Sequence, residues 1–232
     1  MDLSRTINLI GKENLEILTD LKIIIIGLGG VGGYALESLV RIGIKNITIV
    51  DGDKIDKTNL NRQLVTNRTN IGEFKTEAWA KRINLINDKT NVKIVTKMLN
   101  PEDINALIKD HYFIIDACDD TKVKIAIIKE AMKKKIDFIS CMGTANKIDA
   151  TKLEITKLSK TKNCPLARKL RNELKKSNID INKINVVTSN EVPINNGNLK
   201  ATISYVPAVA VLYITNYIVN KYLKESNYGR NS

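Results

Sequence analysis

The chain has 232 residues, 43% of them hydrophobic, and a formal net charge of +12, which suits one buried core and a single elaborated α/β domain over 1–232. Its three cysteines, Cys118, Cys141 and Cys164, form no C-x-x-C pair, which argues against a disulfide framework and a Cys₄ zinc site and favours the reducing cytoplasm. The start, Met1-Asp2-Leu3-Ser4-Arg5, lacks a signal-peptide layout, and the apolar run 206–219 is too short to cross a bilayer and reads as a buried helix.

Arg5 to Leu18 reads as a short amphipathic helical arm within residues 1–20, with Ile7, Ile10, Leu15 and Leu18 spaced to lie on a neighbour. A nucleotide-binding core over 21–142 follows. The β-branched run Ile23-Ile24-Ile25-Ile26 predicts a strand buried on both faces. Gly27, Gly29 and Gly32 then match G-x-G-x-x-G, with Gly30 in the same turn. Missing Cβ atoms permit a tight turn, close approach of a pyrophosphate, and packing of helix on strand. A helix starting near Gly32 aims its amides and positive dipole end at the anion. Asp51, closing the run Ile47-Thr48-Ile49-Val50, supplies the acid expected roughly 20 residues on to hold a ribose. The turn by itself says adenine nucleotide and leaves NAD, FAD and ATP open.

The polar loop 52–70 is long for an α/β unit, which marks it as a functional element. Phe74, Ala78, Trp79, Ile83 and Ile86 predict a helix over 72–87; a strand over 92–96, a helix opened by Pro101 and a strand over 112–115 continue the alternation. Asp116 to Asp120 then sits at a strand's carboxyl end, where open α/β sheets bind ligands. There Asp116 is expected to accept backbone amides. His111, the lone histidine, reads as a strand-edge residue rather than a base. A helix over 121–134 and a strand over 138–141 complete a Rossmann-like, doubly wound, mostly parallel sheet. Residues 143–232 form an appended C-terminal α/β portion: strands over 153–156 and 185–188, a basic helix over 165–176, a hairpin turn signal at Asn195-Asn196-Gly197-Asn198, and a last helix after Pro207.

Asp51-Gly52-Asp53, Thr58-Asn59-Leu60-Asn61-Arg62-Gln63 and Lys75 are more specific than the glycines. Over roughly 5–142 the chain resembles the adenylating enzymes that activate ubiquitin and the bacterial sulfur-carrier proteins, which bind ATP and join a carboxylate to AMP. Such a reaction brings two anions together, so positive charge must screen the approach and stabilise the leaving pyrophosphate. Arg62, a forked donor, and Lys75, a point charge, suit that task, although either alone could be an ordinary surface charge. Asp119, beside Asp120, is the natural carboxylate for Mg²⁺. Asn59 and Asn61 are neutral hydrogen-bonding groups for the phosphates or base, and Asp53, Gln63 and Asp120 complete the expected ATP site. The resemblance implies that Arg5 reaches the γ-phosphate in a partner subunit, which requires a homodimer.

Beyond the core, Cys141-Met142-Gly143-Thr144-Ala145, Asp149 to Leu158, Thr161 with Pro165 to Arg171, and Ser204 to Ala210 resemble the tRNA threonylcarbamoyladenosine dehydratases. That branch implies ATP-dependent dehydration of the modified adenosine beside the anticodon, through adenylation of its side-chain carboxylate and ring closure. The tethered attacking group leaves no need for an enzyme nucleophile; Cys164, on a loop before Pro165, is the one thiol with a conceivable covalent role, and Cys118 and Cys141 read as core residues. Lys157, Lys160, Arg168, Lys169 and Arg171 are the candidate tRNA contacts, with a solvated face in a lysine-rich sequence as the plain alternative. Three competing functions are adenylation of a small ubiquitin-like sulfur carrier, with that carrier or a sulfur-transfer protein as partner; NAD-dependent oxidoreduction; and a non-catalytic nucleotide-sensing dimer. Without C-x-x-C pairs the first lacks the structural zinc of its relatives, and the second leaves Arg62, Lys75 and Asp119 unexplained.

Overall fold

A computed structural model of the chain describes residues 1–194 and 201–223. The hairpin signal at 195–198 lies outside the described residues. Strand β1 (Lys22–Ile26) is central, with four of its five residues buried. Alternation sends Ile23 and Ile25 to one face and Ile24 and Ile26 to the other. Around it lie β2 (Asn46–Val50), β3 (Asn91–Val95), β4 (Phe113–Asp116), β5 (Asp137–Cys141), β6 (Leu153–Lys157) and β7 (Asn185–Ser189). The order is β3-β2-β1-β4-β5-β7-β6, parallel throughout except for β6 against β7. The sheet is therefore α/β and Rossmann-like, as the alternation of patterns predicts.

Helices cover both faces. α2 (Lys12–Thr19), α3 (Gly32–Ile42), α4 (Lys75–Ile86) and α8 (Tyr205–Tyr222) bury their apolar stripes with Ile23, Ile25, Ile47, Ile49 and Phe113. On the other face, α5 (Ile104–Leu107) and α6 (Thr121–Lys134) pack on Ile24, Ile26 and Ile114, and α7 (Pro165–Lys176) packs beside Val186. Among the described residues no helix is long and apolar enough to cross a membrane; α8 is instead buried through Val206, Ala210, Ile214 and Ile218.

Three expectations change. The N-terminal arm is two helices, α1 (Ser4–Ile10) and α2, because Gly11 takes φ +81° between them; Leu15 and Leu18 are buried, whereas α1 buries none of its residues. The helix expected from 72 starts at Lys75, because Lys54 bridges Phe74 and holds the preceding segment extended. After Pro101 only a 3₁₀ turn and the single α-turn of α5 form.

Candidate functional site

The strand order reverses direction between β1 and β4, and at such a switch point the connections leave on opposite faces and open a crevice. A groove of about 1160 Å³ runs from there along the strand ends. Its first half is built by the turn after β1. Gly27 has φ +91°, and a Cβ on it would lie 2.8 Å from the Ala117 carbonyl oxygen, across the switch point; a Cβ on Gly32 would overlap the Gly27 carbonyl oxygen. Those two glycines are required by the fold itself. Gly29 is different: the nearest atom to an added Cβ is Gln63 Nε2 at 3.9 Å, and the amides of Gly29 and Gly30 have no protein acceptor among the described residues. Open space beside free amides is a cradle for an anion.

Asp51 follows β2. Its carboxylate accepts from the Leu28 amide at 2.7 Å and the Asp53 amide at 2.8 Å, so it pins the glycine turn to its own loop. Burial raises its pKa, and Lys75 and these amides only partly offset that. Lys75, at the start of α4 and 6% exposed, donates to Asp53 Oδ2 at 2.6 Å and lies 4.0 Å from Asp51 Oδ2. Arg62 Nη1 donates to the Thr58 carbonyl at 2.8 Å and to Asn61 Oδ1 at 2.9 Å. Val50, Met98, Leu99 and Val123 add apolar lining to this half. Past β4, Asp120 caps α6 by accepting from the Lys122 and Val123 amides at 2.7 and 2.9 Å. Asp119 is exposed and makes no hydrogen bond or ion pair among the described residues, so its carboxylate is free for a cation. No group of three or more His, Cys, Asp or Glu able to hold a metal occurs among them. One carboxylate with substrate phosphates is a donor set that suits Mg²⁺.

Under the groove lies a fully buried ion pair. Lys124 Nζ is 2.8 Å from Asp116 Oδ1 and also donates to Ser140 Oγ and the Cys141 carbonyl, each at 3.2 Å; both charged side chains are 0% exposed. Burial works against the Lys124 charge, but Asp116 outweighs it and its pKa ends above the ordinary lysine value. Asp116 also accepts from Ser140 Oγ at 2.5 Å and Cys118 Sγ at 3.1 Å. It thus binds side chains, not the backbone amides expected, because Lys124 faces inward from α6 in line with Ile127, Ile128 and Ala131. Burial and Asp116 push the Cys118 thiol far above its usual range, and burial, against Lys124, pushes Cys141 to about 12.

The second half is walled by Met142 to Lys147, Cys164 to Leu166, Lys169, Pro193 and Ala201–Thr202. Its ties span long stretches of chain. Lys147 Nζ donates to the Glu191 carbonyl at 2.5 Å and to those of Asn163 and Ser189 at 3.5 Å; burial lowers its pKa despite Cys164 and Glu191. Reciprocally, the Glu191 carboxylate accepts from the Ile148 amide at 3.1 Å and the Asp149 amide at 2.9 Å. Asn146 exchanges main-chain bonds with Ala201 and Ile194, and its Oδ1 takes the Ala201 amide at 2.7 Å.

Residues 3–231 match the model of the ThiF family. A tRNA threonylcarbamoyladenosine dehydratase of Bacillus subtilis is 36% identical over 93% of this chain and 92% of its own length; that of Escherichia coli is 38% identical over 73% of this chain and 64% of its own. The E. coli tRNA N6-threonylcarbamoyladenosine dehydratase crystallised with ATP superposes with a TM-score of 0.90 at 32% identity, over 95% of this chain and 93% of that one. The chain belongs to the ThiF family, among the tRNA threonylcarbamoyladenosine dehydratases.

In this ThiF-family fold the residues singled out by sequence fall into three groups. Gly27, Gly29, Gly30, Asp51, Asp53, Arg62, Gln63, Lys75, Asp119, Asp120 and Lys169 line the groove, with Gly32 just behind; Gln63 is buried there, its Oε1 without a hydrogen-bond partner among the described residues. Asn59 and Asn61 also line it but are engaged: Asn59 Oδ1 takes the Asp56 amide at 3.1 Å, and Asn61 Nδ2 donates to the Thr202 carbonyl at 3.1 Å. Outside it are Arg5 on exposed α1, Lys157 on the edge strand β6, and the exposed Lys160 and Arg168. Arg171 is drawn inward, its Nη1 bonded to Thr161 at both the carbonyl and Oγ1, so it ties α7 to the preceding turn. Cys164 is no loop residue: it is buried as the N-cap of α7, accepting from the Ala167 amide at 3.5 Å. Cys118 is half-buried against the core on the Ile24 and Ile26 face and, like the buried Cys141, also lines the groove. His111 Nε2 pairs with Thr48 Oγ1 at 2.8 Å, with burial lowering its pKa. Sequence reasoning missed Lys124, Lys147 and Glu191; a lysine within the apolar stripe of α6 was the available signal for the first.

Proposed function

We propose that the protein catalyses ATP-dependent dehydration of threonylcarbamoyladenosine in tRNA, the chain working as one domain. The reading is carried by one continuous groove that joins free glycine amides to a second chamber rimmed by Lys169, in a chain so similar to that E. coli enzyme. ATP would lay its adenine against Val50, Met98 and Leu99, with its phosphates on the Gly29–Gly30 turn and its ribose toward Asp51. The threonyl carboxylate attacks the α-phosphorus and pyrophosphate leaves, giving an acyl-adenylate. The side chain's own carbamoyl group then attacks the activated carbonyl and AMP departs, closing the ring with net loss of water. Arg62 and Lys75 screen the approach of the two anions and stabilise charge on the departing phosphates. Asp119 would hold Mg²⁺, which supplies charge neutralisation at the phosphate oxygens.

The tRNA backbone is assigned to Lys169 at the groove rim with the exposed Arg168 and Lys160 beyond it, and Arg171 supports that surface from beneath. Arg5 lies outside its own groove, on a helix whose Leu9 is 65% exposed. Both facts fit an arm that completes a partner subunit's site in a homodimer. A tRNA substrate and three free cysteines support the cytoplasm as the place where the protein works.

The deciding experiment incubates threonylcarbamoyl-modified tRNA with protein, ATP and magnesium and weighs the released nucleosides. The modified adenosine should lose one water only when ATP is present. An unchanged nucleoside, together with pyrophosphate exchange driven by another carboxylate, overturns the tRNA substrate and leaves the adenylating site.

A further inference from the structure

At the mouth of the groove the side chain of Asn61 reaches both halves. Asn61 Oδ1 accepts from Arg62 Nη1 at 2.9 Å, and Asn61 Nδ2 donates to the Thr202 carbonyl at 3.1 Å. Thr202 follows Ala201, whose amide and carbonyl are both bound by Asn146 at 2.7 Å, and precedes Tyr205, whose hydroxyl donates to the Ile148 carbonyl at 2.7 Å. A line of hydrogen bonds therefore runs from the phosphate-side guanidinium, through one planar amide, to the wall of the second chamber. The amide orientation is dictated by its partners: the guanidinium can only donate and the main-chain carbonyl can only accept.

We propose that Asn61 is a positioning residue that couples the two chambers, so that nucleotide drawing on Arg62 tightens the Ala201–Tyr205 wall and substrate seated on that wall fixes the guanidinium. The proposal rests on the ATP-dependent reading above and goes beyond it by assigning Asn61 to communication within the site instead of to ATP itself. The physical requirement is a side chain with a donor and an acceptor on one rigid plane. Aspartate keeps the acceptor for Arg62 and loses the donor for Thr202; alanine loses both.

The test is hydrogen exchange of the wild-type chain, Asn61→Asp and Asn61→Ala, each with and without a non-hydrolysable ATP analogue at saturation. In the wild type the analogue should slow exchange both at 28–33 and at 201–205, the latter by about threefold, the scale of one modest hydrogen bond. In Asn61→Asp the slowing at 28–33 should persist and that at 201–205 should vanish. Because aspartate preserves the Arg62 contact, a purely local support role predicts no such loss. Slowing at 201–205 that survives in Asn61→Asp, or that is missing from the wild type while 28–33 responds, overturns the coupling alone. No slowing at 28–33 in the wild type overturns the nucleotide reading and the coupling with it. Kinetics provide a second check: Asn61→Asp should raise KM for modified tRNA about fivefold more than KM for ATP, whereas equal increases count against the proposal.

Discussion

The nucleotide half and the substrate half of the groove are held by different means. The first is shaped by backbone: Gly27 and Gly32 close a turn that no larger residue fits, and Asp51 fastens that turn from 23 residues away. The second is shaped by side chains reaching main chain over greater separations: Lys147 binds Glu191 across 44 residues, and Asn146 binds Ala201 across 55. A turn fixed by sterics is rigid before any ligand arrives, whereas a wall fixed by a few hydrogen bonds can be loosened one bond at a time.

The severest test of that difference compares two glycines. Gly32→Ala should abolish folding, because its Cβ overlaps the Gly27 carbonyl oxygen; Gly29→Ala should hold Tm within about 2 °C yet weaken ATP binding more than about tenfold, read by calorimetric titration. Equal damage from both would dissolve the distinction between glycines the fold needs and glycines the ligand needs. Next is Lys124→Met, which leaves Asp116 buried and unpaired and should cost about 3–5 kcal/mol, a Tm fall of about 10 °C by scanning calorimetry. Because the pair ties β4 to β5 beneath both halves, Asp116→Asn added to Lys124→Met should recover most of the loss.

Glu191→Ala isolates the substrate half. It frees the Ile148 and Asp149 amides and should lower kcat/KM for modified tRNA about tenfold while the Kd for ATP moves less than about twofold. A matching loss of ATP affinity would mean that the halves are one unit. The mildest case is Glu37, between Arg41 and Arg82 on the frame behind the nucleotide half. Burial works to raise its pKa, but the two guanidinium groups outweigh it and hold it below the usual glutamate value. Its contribution is therefore present above the ordinary glutamate range and is lost as pH falls through the depressed folded value. Glu37→Gln should cost about 1 kcal/mol at pH 7, and its deficit against the wild type should shrink as pH falls below the ordinary glutamate value of about 4.3, measured by urea titration at each pH.

The same contrast explains what could be read from the residues alone. The alternating strand pattern, the glycine turn, Asp51, Arg62, Lys75 and Asp119 were legible because each sits in a short stretch whose spacing expresses its own geometry. Lys147 and Glu191 carry no local signature, since neither has meaning until β7 is laid against β5. Arg171 and Asn59 resembled contacts for a ligand, but composition cannot reveal that a nearby carbonyl or amide has already claimed them. The apolar spacing of the arm continues through Gly11 and so predicts one helix, whereas the backbone breaks there.

The two thiols beside the Lys124–Asp116 pair have a chemical consequence. Burial holds both Cys141 and Cys118 in the protonated form at pH 7, with Asp116 adding to the effect at each sulfur. Alkylating agents and peroxides react with thiolates, so an electrophile small enough to enter beside the nucleotide should pass these sulfurs by. Iodoacetamide labelling followed by peptide mass mapping should find both unmodified in the folded chain. Two of the three thiols that line the groove are thus held in their unreactive form by their surroundings, without an additional protecting group.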